Sequence, residues 1–225
     1  MLMRIGVLFS GGKDSLYSAY LTSHEHDVVC LITIIPENKD SYMFHTPNIE
    51  FVDIQAEAME LPLVKIKSKG IKEEELKDLK KAIEIAKEKY KIQGIVAGAI
   101  ASNYQTSRIK RICDELGLEC LNPLWQRNQI ELLSEMLKQG IKFIIVGIAA
   151  DSLDEKWLGE EIDSEHINRL KELERDLKIN PAGEGGEIET FVIDSPMHKK
   201  SIKIIKAEKL FSEHTGIFKI KKIKL

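Results

Sequence analysis

Short apolar runs and longer amphipathic segments alternate along the first two thirds of the chain. Residues 1–9 end in a continuous apolar run typical of a buried strand, and residues 14–24 carry Leu16, Ala19 and Tyr20 on one side of a predicted helix. The alternation then predicts strands at 27–35, 63–66, 94–97, 119–121 and 143–149, and helices near 48–59, 72–90, 105–116 and 129–139. This order is typical of a parallel sheet covered by helices.

The pattern changes near Asp151. An amphipathic helix is predicted at 164–177, and the chain beyond residue 180 alternates apolar and polar residues as strands joined by turns do. We therefore expect an α/β fold with a doubly wound, mainly parallel sheet over residues 1–150, and a smaller α+β extension over residues 151–225.

Composition and charge narrow the class of protein. The 225 residues include no apolar run of membrane-spanning length, and the first residues run into a strand without a signal-peptide pattern, so a cytoplasmic protein is expected. Three cysteines without metal-ligand spacing or a disulfide framework are interpreted as structural thiols. Lysine outnumbers arginine, and glutamate and isoleucine are frequent, a bias typical of hyperthermophile proteins.

Charge is distributed unevenly in the C-terminal part. Residues 151–190 hold 13 acidic and 5 basic side chains, a net charge of -8, whereas residues 198–225 hold 9 basic and 2 acidic ones, a net charge of +7. We favour the interpretation that these two charged segments form two solvated faces of the protein. The alternative is that the basic segment forms a patch that binds a protein or RNA partner.

The stretch "FSGGKDS", residues 9–15, joins the first strand to the first helix. Free N–H groups and the helix dipole at such a junction favour an anion, most often a phosphate. The ordinary P-loop is excluded because Val7 and Asp14 occupy its required glycine and Ser/Thr positions. The GxGxxG fingerprint of dinucleotide-binding proteins is excluded because its later glycines would fall among Lys13, Asp14 and Ser15.

Three further stretches carry candidate chemistry. "DSYMFHTPN" (40–48) and "GAIASNYQTSRI" (98–109) each follow a predicted parallel strand, where open α/β sheets bind ligands. Taken alone, the first is typical of loop packing and the second of a helix N-cap. "GEGGEIET" (183–190) crowds three glutamates without a compensating Lys or Arg, which destabilises a plain hairpin unless a cation or ligand uses them.

"SGGKDS" is the pattern of the PP-loop ATP pyrophosphatases, which cleave ATP between the α and β phosphates. Together with "DSYMFHT", "GAIASNYQTSRI", "PLWQRNQ" (123–129) and "GEGGEIETFVIDSP" (183–196), in this order, it resembles the diphthine-ammonia ligase family over nearly the whole chain. "GEGGEIET" separates this family from other PP-loop enzymes. The resemblance implies a fold like that of the adenine nucleotide α-hydrolases, with residues 1–150 as the ATP-binding domain and 151–225 on the substrate side. The length is similar to the compact archaeal form.

The resemblance also implies a reaction and its partners. Family members complete diphthamide synthesis on elongation factor 2, amidating the diphthine carboxylate with ammonium at the expense of ATP. The carboxylate would attack the α phosphorus, pyrophosphate would leave, and ammonia would then displace AMP from the acyl-adenylate. The chain has no room for a glutaminase domain, so free ammonium is the expected nitrogen source. A homodimer is left open.

Residue roles follow from the matched motifs. We expect the ATP phosphates to be bound by backbone N–H groups, by the hydroxyls of Ser10 and Ser15 and by a mobile Lys13 cation. Asp14 is expected to orient the loop or a Mg2+ ion. The ATP-binding candidates are Ser10, Gly11, Gly12, Lys13, Asp14, Ser15, Gly98 and Ser102. The catalytic or substrate-binding candidates are Tyr42, His45, Tyr104, Gln105, Trp125, Gly183, Glu184, Gly185, Gly186, Glu187, Glu189 and Thr190.

Two details of the substrate side complete the expectation. One of the three turn glutamates is expected to hold ammonium and take its proton, because carboxylates close together have raised pKa values. Diphthine carries a trimethylammonium group, and Tyr42, Phe44, Tyr104 and Trp125 would form an aromatic cage for it. For each aromatic taken singly, core packing is the alternative.

Two other functions stay open at this point. A PP-loop enzyme that modifies tRNA would be marked by a catalytic cysteine pair or a zinc motif, which Cys30, Cys113 and Cys120 do not offer. A non-catalytic ATP sensor would need no "GEGGEIET" and would never form AMP and pyrophosphate.

Overall fold

The computed structural model describes residues 2–37, 47–71 and 73–225. Five parallel strands form the first sheet, in the spatial order β3-β2-β1-β4-β5: β1 (Arg4–Leu8), β2 (Asp27–Pro36), β3 (Leu63–Ser68), β4 (Gly94–Val96) and β5 (Glu119–Leu121). The strand order reverses at β1, whose two neighbours are β2 and β4. Open α/β sheets bind their ligands beyond the carboxyl ends of strands at such a reversal.

Helices cover both faces of this sheet. They are α1 (Lys13–Ser23), α2 (Val52–Met59), α3 (Glu75–Tyr90), α4 (Asn103–Leu116), α5 (Gln129–Lys138) and α6 (Ser164–Leu177), with 3-10 turns at Ile49–Phe51 and Glu155–Trp157. Leu16, Val52 and Leu132 pack on one face with Ile5 and Val7 of β1. On the other face, side chains of α3 and α4 pack against β2 and β4. The predicted doubly wound α/β class is confirmed.

Four antiparallel strands form the second sheet, in the order β7-β6-β9-β8: β6 (Lys142–Ala149), β7 (Ile188–Asp194), β8 (Lys203–Ser212) and β9 (Thr215–Lys224). The sequence pattern placed the strand now labelled β6 with the parallel strands, and this was wrong. Residues 143–148 are buried, so their unbroken apolar run looks like a parallel strand although its partners are antiparallel. The division of the chain near residue 150 stays a prediction.

Element bounds agree closely with the pattern where local signals are strong. Helix α6 covers residues 164–177 as predicted, and its N-cap Asp163 accepts hydrogen bonds from two backbone N–H groups. Helix α4 ends at Gly117, whose φ of +62° suits the C-terminal cap position. Within the described residues, no helix has both the length and the apolar character that crossing a membrane requires.

Candidate active site

A cavity of about 570 Å³ opens at the carboxyl edge of the parallel sheet. It is lined by residues from three of the predicted stretches, namely Ser10, Asp14, Ser15, Gly98, Ser102, Gln105, Gly183, Glu184, Gly185, Gly186 and Glu189. Apolar side chains of β2, α3 and α4 line another part of its wall. The candidates Gly11, Gly12, Lys13, Glu187 and Thr190 are chain neighbours of lining residues. The structure thus brings the N-terminal loop, the loop after β4 and the glycine turn to one site.

The loop between β1 and α1 is folded back on itself. Gly11 has φ +84°, a conformation that favours glycine. The hydroxyls of Ser10 and Ser15 lie 3.2 Å apart, and the Ser15 hydroxyl donates to the Gly12 carbonyl at 3.0 Å. The Gly12 N–H points to the Ser10 hydroxyl at 3.4 Å. Both hydroxyls therefore reach the cavity from a tightly ordered turn.

Lys13 is not the mobile cation that the sequence led us to expect. Its side chain is 3% exposed, and Nζ donates to the Asp14 carboxylate at 2.8 Å and to the Ala182 carbonyl at 2.5 Å. Its backbone N–H donates to the Thr190 hydroxyl at 3.1 Å. The reason is the second sheet, which brings Ala182 and Thr190 against the start of α1 and encloses the ammonium group. Lys13 therefore joins the loop to the glycine-turn region.

Gln55 was missed by the sequence reasoning. It is fully buried in α2, and its Nε2 donates to the carbonyls of Gly11 and Val192, both at 2.9 Å. The Val192 N–H donates to the same Gly11 carbonyl at 3.0 Å. Its signal in the sequence was a glutamine within the apolar side of a short helix, between Val52 and Met59. Gln55 fixes the N-terminal loop to β7.

Gly98 and Ser102 determine how the loop after β4 packs against the N-terminal loop and begins α4. A Cβ atom on Gly98 would lie 2.8 Å from the Asp14 carbonyl carbon and the Ser15 nitrogen, so only glycine permits this close approach. Ser102 is the N-cap of α4, and its hydroxyl accepts from the Gln105 N–H at 3.3 Å. Ser102 therefore caps the helix and also lines the cavity, so its N-cap role is confirmed and its role in binding ATP stays a prediction.

The glycine turn directs its three glutamates differently. Gly183 and Gly186 have φ of +76° and +89°. Glu184 accepts from the backbone N–H groups of Ala101 and Ser102 at 2.9 and 2.8 Å, beside the N-terminus of α4. Glu187 accepts from Asn180 Nδ2 at 2.6 Å and from the Gly185 N–H at 2.9 Å. Glu184 and Glu187 therefore hold the turn in place.

Glu189 differs from the other two glutamates. It lines the cavity, and its side chain makes no hydrogen bond to the other residues that the structure describes. Burial raises the pKa of Glu189 to about 7, a shift that Lys13 opposes and Asp14 reinforces. Burial also raises the pKa of Asp14, although Lys13 opposes this shift. The site thus places a carboxyl that titrates near neutrality beside the loop.

The proposed aromatic cage is not assembled from the residues that the structure describes. Tyr42, Phe44 and His45 lie outside the described residues. The guanidinium of Arg108 lies 3.5 Å over the Tyr104 ring, and the Tyr104 hydroxyl donates to Glu73 at 3.0 Å. Trp125 is half-buried, and neither Tyr104 nor Trp125 is among the described residues that line the cavity. A neighbouring cation already covers one face of Tyr104.

A magnesium ion would need ligands beyond the protein. The described residues contain no group of three His, Cys, Asp or Glu side chains that could hold a metal. Asp14 Oδ1, however, is buried beside the cavity without a hydrogen-bond partner among these residues. A single free carboxylate oxygen suits Mg2+, which is commonly bound by one or two carboxylates together with substrate phosphates. The donor set fits an ion that would arrive with a nucleotide.

The cysteines lie away from this chemistry. None of the three is among the described residues that line the cavity. Cys30 and Cys113 are buried, and burial raises the pKa of Cys30 to about 12. The structural role predicted for the cysteines stays a prediction.

Comparison with known proteins identifies the family. Residues 3–120 match the family model of the diphthamide synthase N-terminal domain, and residues 128–225 match that of the C-terminal domain. The diphthine-ammonia ligase of Mus musculus is 38% identical over 92% of this chain and 84% of its own length. That of Schizosaccharomyces pombe is 33% identical over 95% of this chain and 38% of its own length.

One solved structure, from Methanocaldococcus jannaschii and titled a "predicted subunit of tRNA methyltransferase", aligns with a TM-score of 0.43 and 20% identity, over 89% of this chain and 100% of that one. Both family models together span nearly all of the sequence, and both of their regions contribute residues to the cavity. The chain belongs to the diphthine-ammonia ligase family.

Proposed function

We propose that this protein amidates the carboxylate of diphthine on elongation factor 2 with ammonium, converting ATP into AMP and pyrophosphate. The family supports the reaction class. The observation that carries the proposal is the meeting of the PP-loop with Glu189 in one cavity, since the reaction needs a phosphate site and a base for the nitrogen nucleophile side by side. Elongation factor 2 acts in the cytoplasm, so the same compartment is expected for this enzyme.

The cavity suits a nucleotide. Its volume of about 570 Å³ falls within the usual range for small-molecule sites. The Ser10 and Ser15 hydroxyls would bind the phosphates, and Asp14 would hold Mg2+ through its free oxygen. When bound, the ion would neutralise part of the phosphate charge. Lys13 acts from behind the loop, where it neutralises Asp14 and holds Ala182.

The chemistry then has two steps. First, a diphthine carboxylate oxygen attacks the α phosphorus, the bond to the bridging oxygen breaks, and pyrophosphate takes the electron pair. Second, the nitrogen of ammonia attacks the acyl carbon, and AMP leaves with the former carboxylate oxygen. Ammonium must lose a proton before the second step. A residue close to the acyl group therefore has to accept that proton.

We assign this proton transfer to Glu189. A carboxylate with a pKa near 7 is ionised in a substantial fraction of molecules at neutral pH and still binds a proton well. Glu184 and Glu187 are already occupied by backbone and amide donors, so they act as positioning residues for the turn. Glu189 also supplies the negative charge that would attract ammonium.

The tRNA-modifying alternative is not favoured. Its chemistry would need reactive sulfur or a metal motif, and none of the three cysteines is among the cavity residues that the structure describes. The sensor alternative has no observation in its favour, since Glu189 would have no task in ATP binding alone.

The direct test combines the protein with ATP, Mg2+, ammonium and diphthine-bearing elongation factor 2. Mass spectrometry of the modified peptide is expected to show the amide, and chromatography is expected to show AMP and pyrophosphate in equal amounts. ADP as the product would contradict an adenylate. A reaction mixture without ammonium is the control, and it should form no amide.

A further inference from the structure

A row of residues connects Glu189 with the outer edge of the second sheet. Gly147 of β6 pairs with Glu189 on one side and with Ile217 of β9 on the other. Ile217 in turn pairs with Leu210 of β8. Residues directly opposite each other in antiparallel strands place their side chains on the same face. Glu189, Ile217 and Leu210 therefore share one face of the sheet.

Glycine at position 147 leaves room on this face for the Glu189 side chain and for Pro47. A Cβ atom there would lie 2.9 Å from the Glu189 Cβ and 3.3 Å from the Pro47 Cγ. The Glu189 side chain thus stands beside Gly147 on the face that also carries Ile217. With strands about 4.8 Å apart, Ile217 lies roughly 10 Å and Leu210 roughly 14 Å from Glu189 along the row.

The far end of the row is apolar, exposed and surrounded by positive charge. Leu210 is 51% exposed on β8, at the edge of the sheet, and Ile217 is 39% exposed on the neighbouring strand β9. Residues 203–224 hold seven lysines and two glutamates, a net charge of +5. Among the described residues, Lys221 is the one lysine of this hairpin that has an ion pair. Exposed edge strands with such residues are suited to binding another protein.

We propose that the hairpin patch, defined as Leu210, Ile217 and Lys219, is the docking surface for the folded protein substrate, which would present an apolar contact ringed by acidic residues. This inference rests on the proposed function. A standard protein interface covers about 800 Å² per partner, a patch roughly 16 Å in radius. A folded protein that delivers a side chain to Glu189 therefore covers Ile217 and Leu210, whereas a short peptide reaches Glu189 without them.

The test compares two substrates and two sets of variants. Leu210→Thr and Ile217→Thr keep β-forming residues and remove the apolar surface. Ile205→Thr is the matched control, because Ile205 is 54% exposed on the same strand but lies five residues from Leu210. Each variant is assayed with diphthine-bearing elongation factor 2 and with a short peptide carrying the same modified residue, and KM and kcat are measured for both.

We expect the two patch variants to raise KM for the folded protein about tenfold, since central interface residues commonly have effects of this size. The patch variants should keep kcat for the folded protein, and both KM and kcat for the peptide, within about twofold of the wild type. Ile205→Thr should keep KM and kcat for both substrates within the same range. An unchanged KM for the folded protein would overturn the docking surface. An equal rise for peptide and protein would also overturn it, because the patch would then act on the site itself.

Other occupants give different results. If the patch joined two copies of this chain, the variants would shift the sedimentation coefficient to that of a smaller species, and this would contradict docking of the substrate. Loss of binding to a folded RNA, with KM for the protein unchanged, would assign the patch to RNA instead. If the wild type amidates neither substrate, the proposed function fails and the docking surface fails with it. If the wild type is active and the patch variants behave like it, only the docking surface fails.

Discussion

The two sheets of this protein are built by different rules. The central strands of the parallel sheet, such as β1 with Ile5 and Val7, are covered by helices on both sides and have almost no exposed side chains. In the antiparallel sheet, β6 is buried but β8 at the edge is exposed along most of its length. The first sheet therefore supplies a rigid frame, and the second combines a buried strand with an open surface.

The candidate site residues follow the same division. The PP-loop leaves the buried strand β1 directly, so its position is set by the core. Glu189 lies at the start of β7 in the second sheet, on the face that leads to the exposed hairpin. A nucleotide site benefits from rigidity, because phosphate geometry is the same in every turnover. A protein substrate needs an accessible surface.

The site exists only where the two sheets meet. Gln55 and Val192 donate hydrogen bonds to the Gly11 carbonyl of the PP-loop, and the Thr190 hydroxyl accepts one from the Lys13 N–H. Lys13 Nζ in turn donates to the Ala182 carbonyl. In the other direction, Glu184 binds the loop after β4. Changes at this junction should therefore affect both stability and activity, whereas changes elsewhere in either sheet should affect mainly one of them.

The largest effect is expected for Lys13→Ala. It leaves the partly buried Asp14 carboxylate without its cation and the Ala182 carbonyl without a donor. Removing one partner of a buried ion pair destabilises proteins by roughly 3–5 kcal/mol. We expect a loss in the free energy of unfolding of that order, measured by urea denaturation, together with loss of AMP formation.

Lys221→Ala is the matched control, since its ion pair with Glu208 is exposed and should contribute little to stability. A Lys13→Ala protein that unfolds like the wild type and lacks only activity would show that Lys13 is a ligand-binding cation after all.

The second effect concerns the pH dependence of stability at Glu189. Its pKa is raised from 4.5 to about 7 in the folded protein, so the folded state binds this proton more tightly than the unfolded state does. Stability should therefore fall as pH rises from about 4.5 to 7. Glu189→Gln should remove this fall and be more stable than the wild type at pH 8, by on the order of 2 kcal/mol.

Unfolding curves at pH 5 and pH 8 measure this difference. Glu165→Gln is the control, since Glu165 is an exposed residue of α6. Parallel pH dependences for the wild type and Glu189→Gln would mean that Glu189 is not a buried carboxyl with a raised pKa.

A smaller effect is expected for Gln55→Leu. Leucine keeps the volume but removes the donor shared by the Gly11 and Val192 carbonyls. An unsatisfied buried acceptor costs about 1–3 kcal/mol, and the loosened PP-loop should also raise the dissociation constant for ATP. Denaturation and calorimetry test both, with exposed Gln139→Leu as control. Weaker ATP binding without a change in stability would contradict a role in joining the two sheets.

The smallest effect is expected for Glu184→Gln. The glutamine oxygen can still accept from the Ala101 and Ser102 N–H groups, so only the interaction of a negative charge with the N-terminus of α4 is lost. Such an interaction contributes about 0.3–1 kcal/mol. Amide formation should stay within a few-fold of the wild type. A complete loss of amidation in Glu184→Gln, but not in Glu189→Gln, would exchange the roles assigned to the two glutamates.

Local features of the fold were predictable from the sequence. N-cap residues and a C-terminal glycine indicated where α4 begins and ends, and an N-cap residue indicated where α6 begins. The alternation of strands, loops and helices was enough to expect that loops from separate units meet at the carboxyl edge of the sheet. Tertiary partners were not predictable in this way. Nothing in the apolar run of β6 distinguishes an antiparallel partner from a parallel one, because both faces of the strand are buried.

The same limit applies within the site. The sequence pointed to three glutamates, but their roles depend on which of them meets backbone N–H groups, and this is decided by the packing of the turn against α4. The burial of Lys13 likewise depends on residues more than 160 positions away in the chain. Gln55 was overlooked because its partners are carbonyl groups of distant segments.

The central claim is that the PP-loop forms the adenylate while Glu189 serves only the nitrogen nucleophile. Hydroxylamine tests it most directly, because it is largely uncharged at neutral pH and attacks an acyl-adenylate without needing a base. The measurement is the yield of amide with ammonium, and of hydroxamate with hydroxylamine, for the wild type and Glu189→Gln at pH 7. The account predicts that the variant forms hydroxamate at a rate close to that of the wild type, while its amide formation falls about a hundredfold or more. Equal loss of both products would contradict it, because Glu189 would then be needed before the adenylate forms.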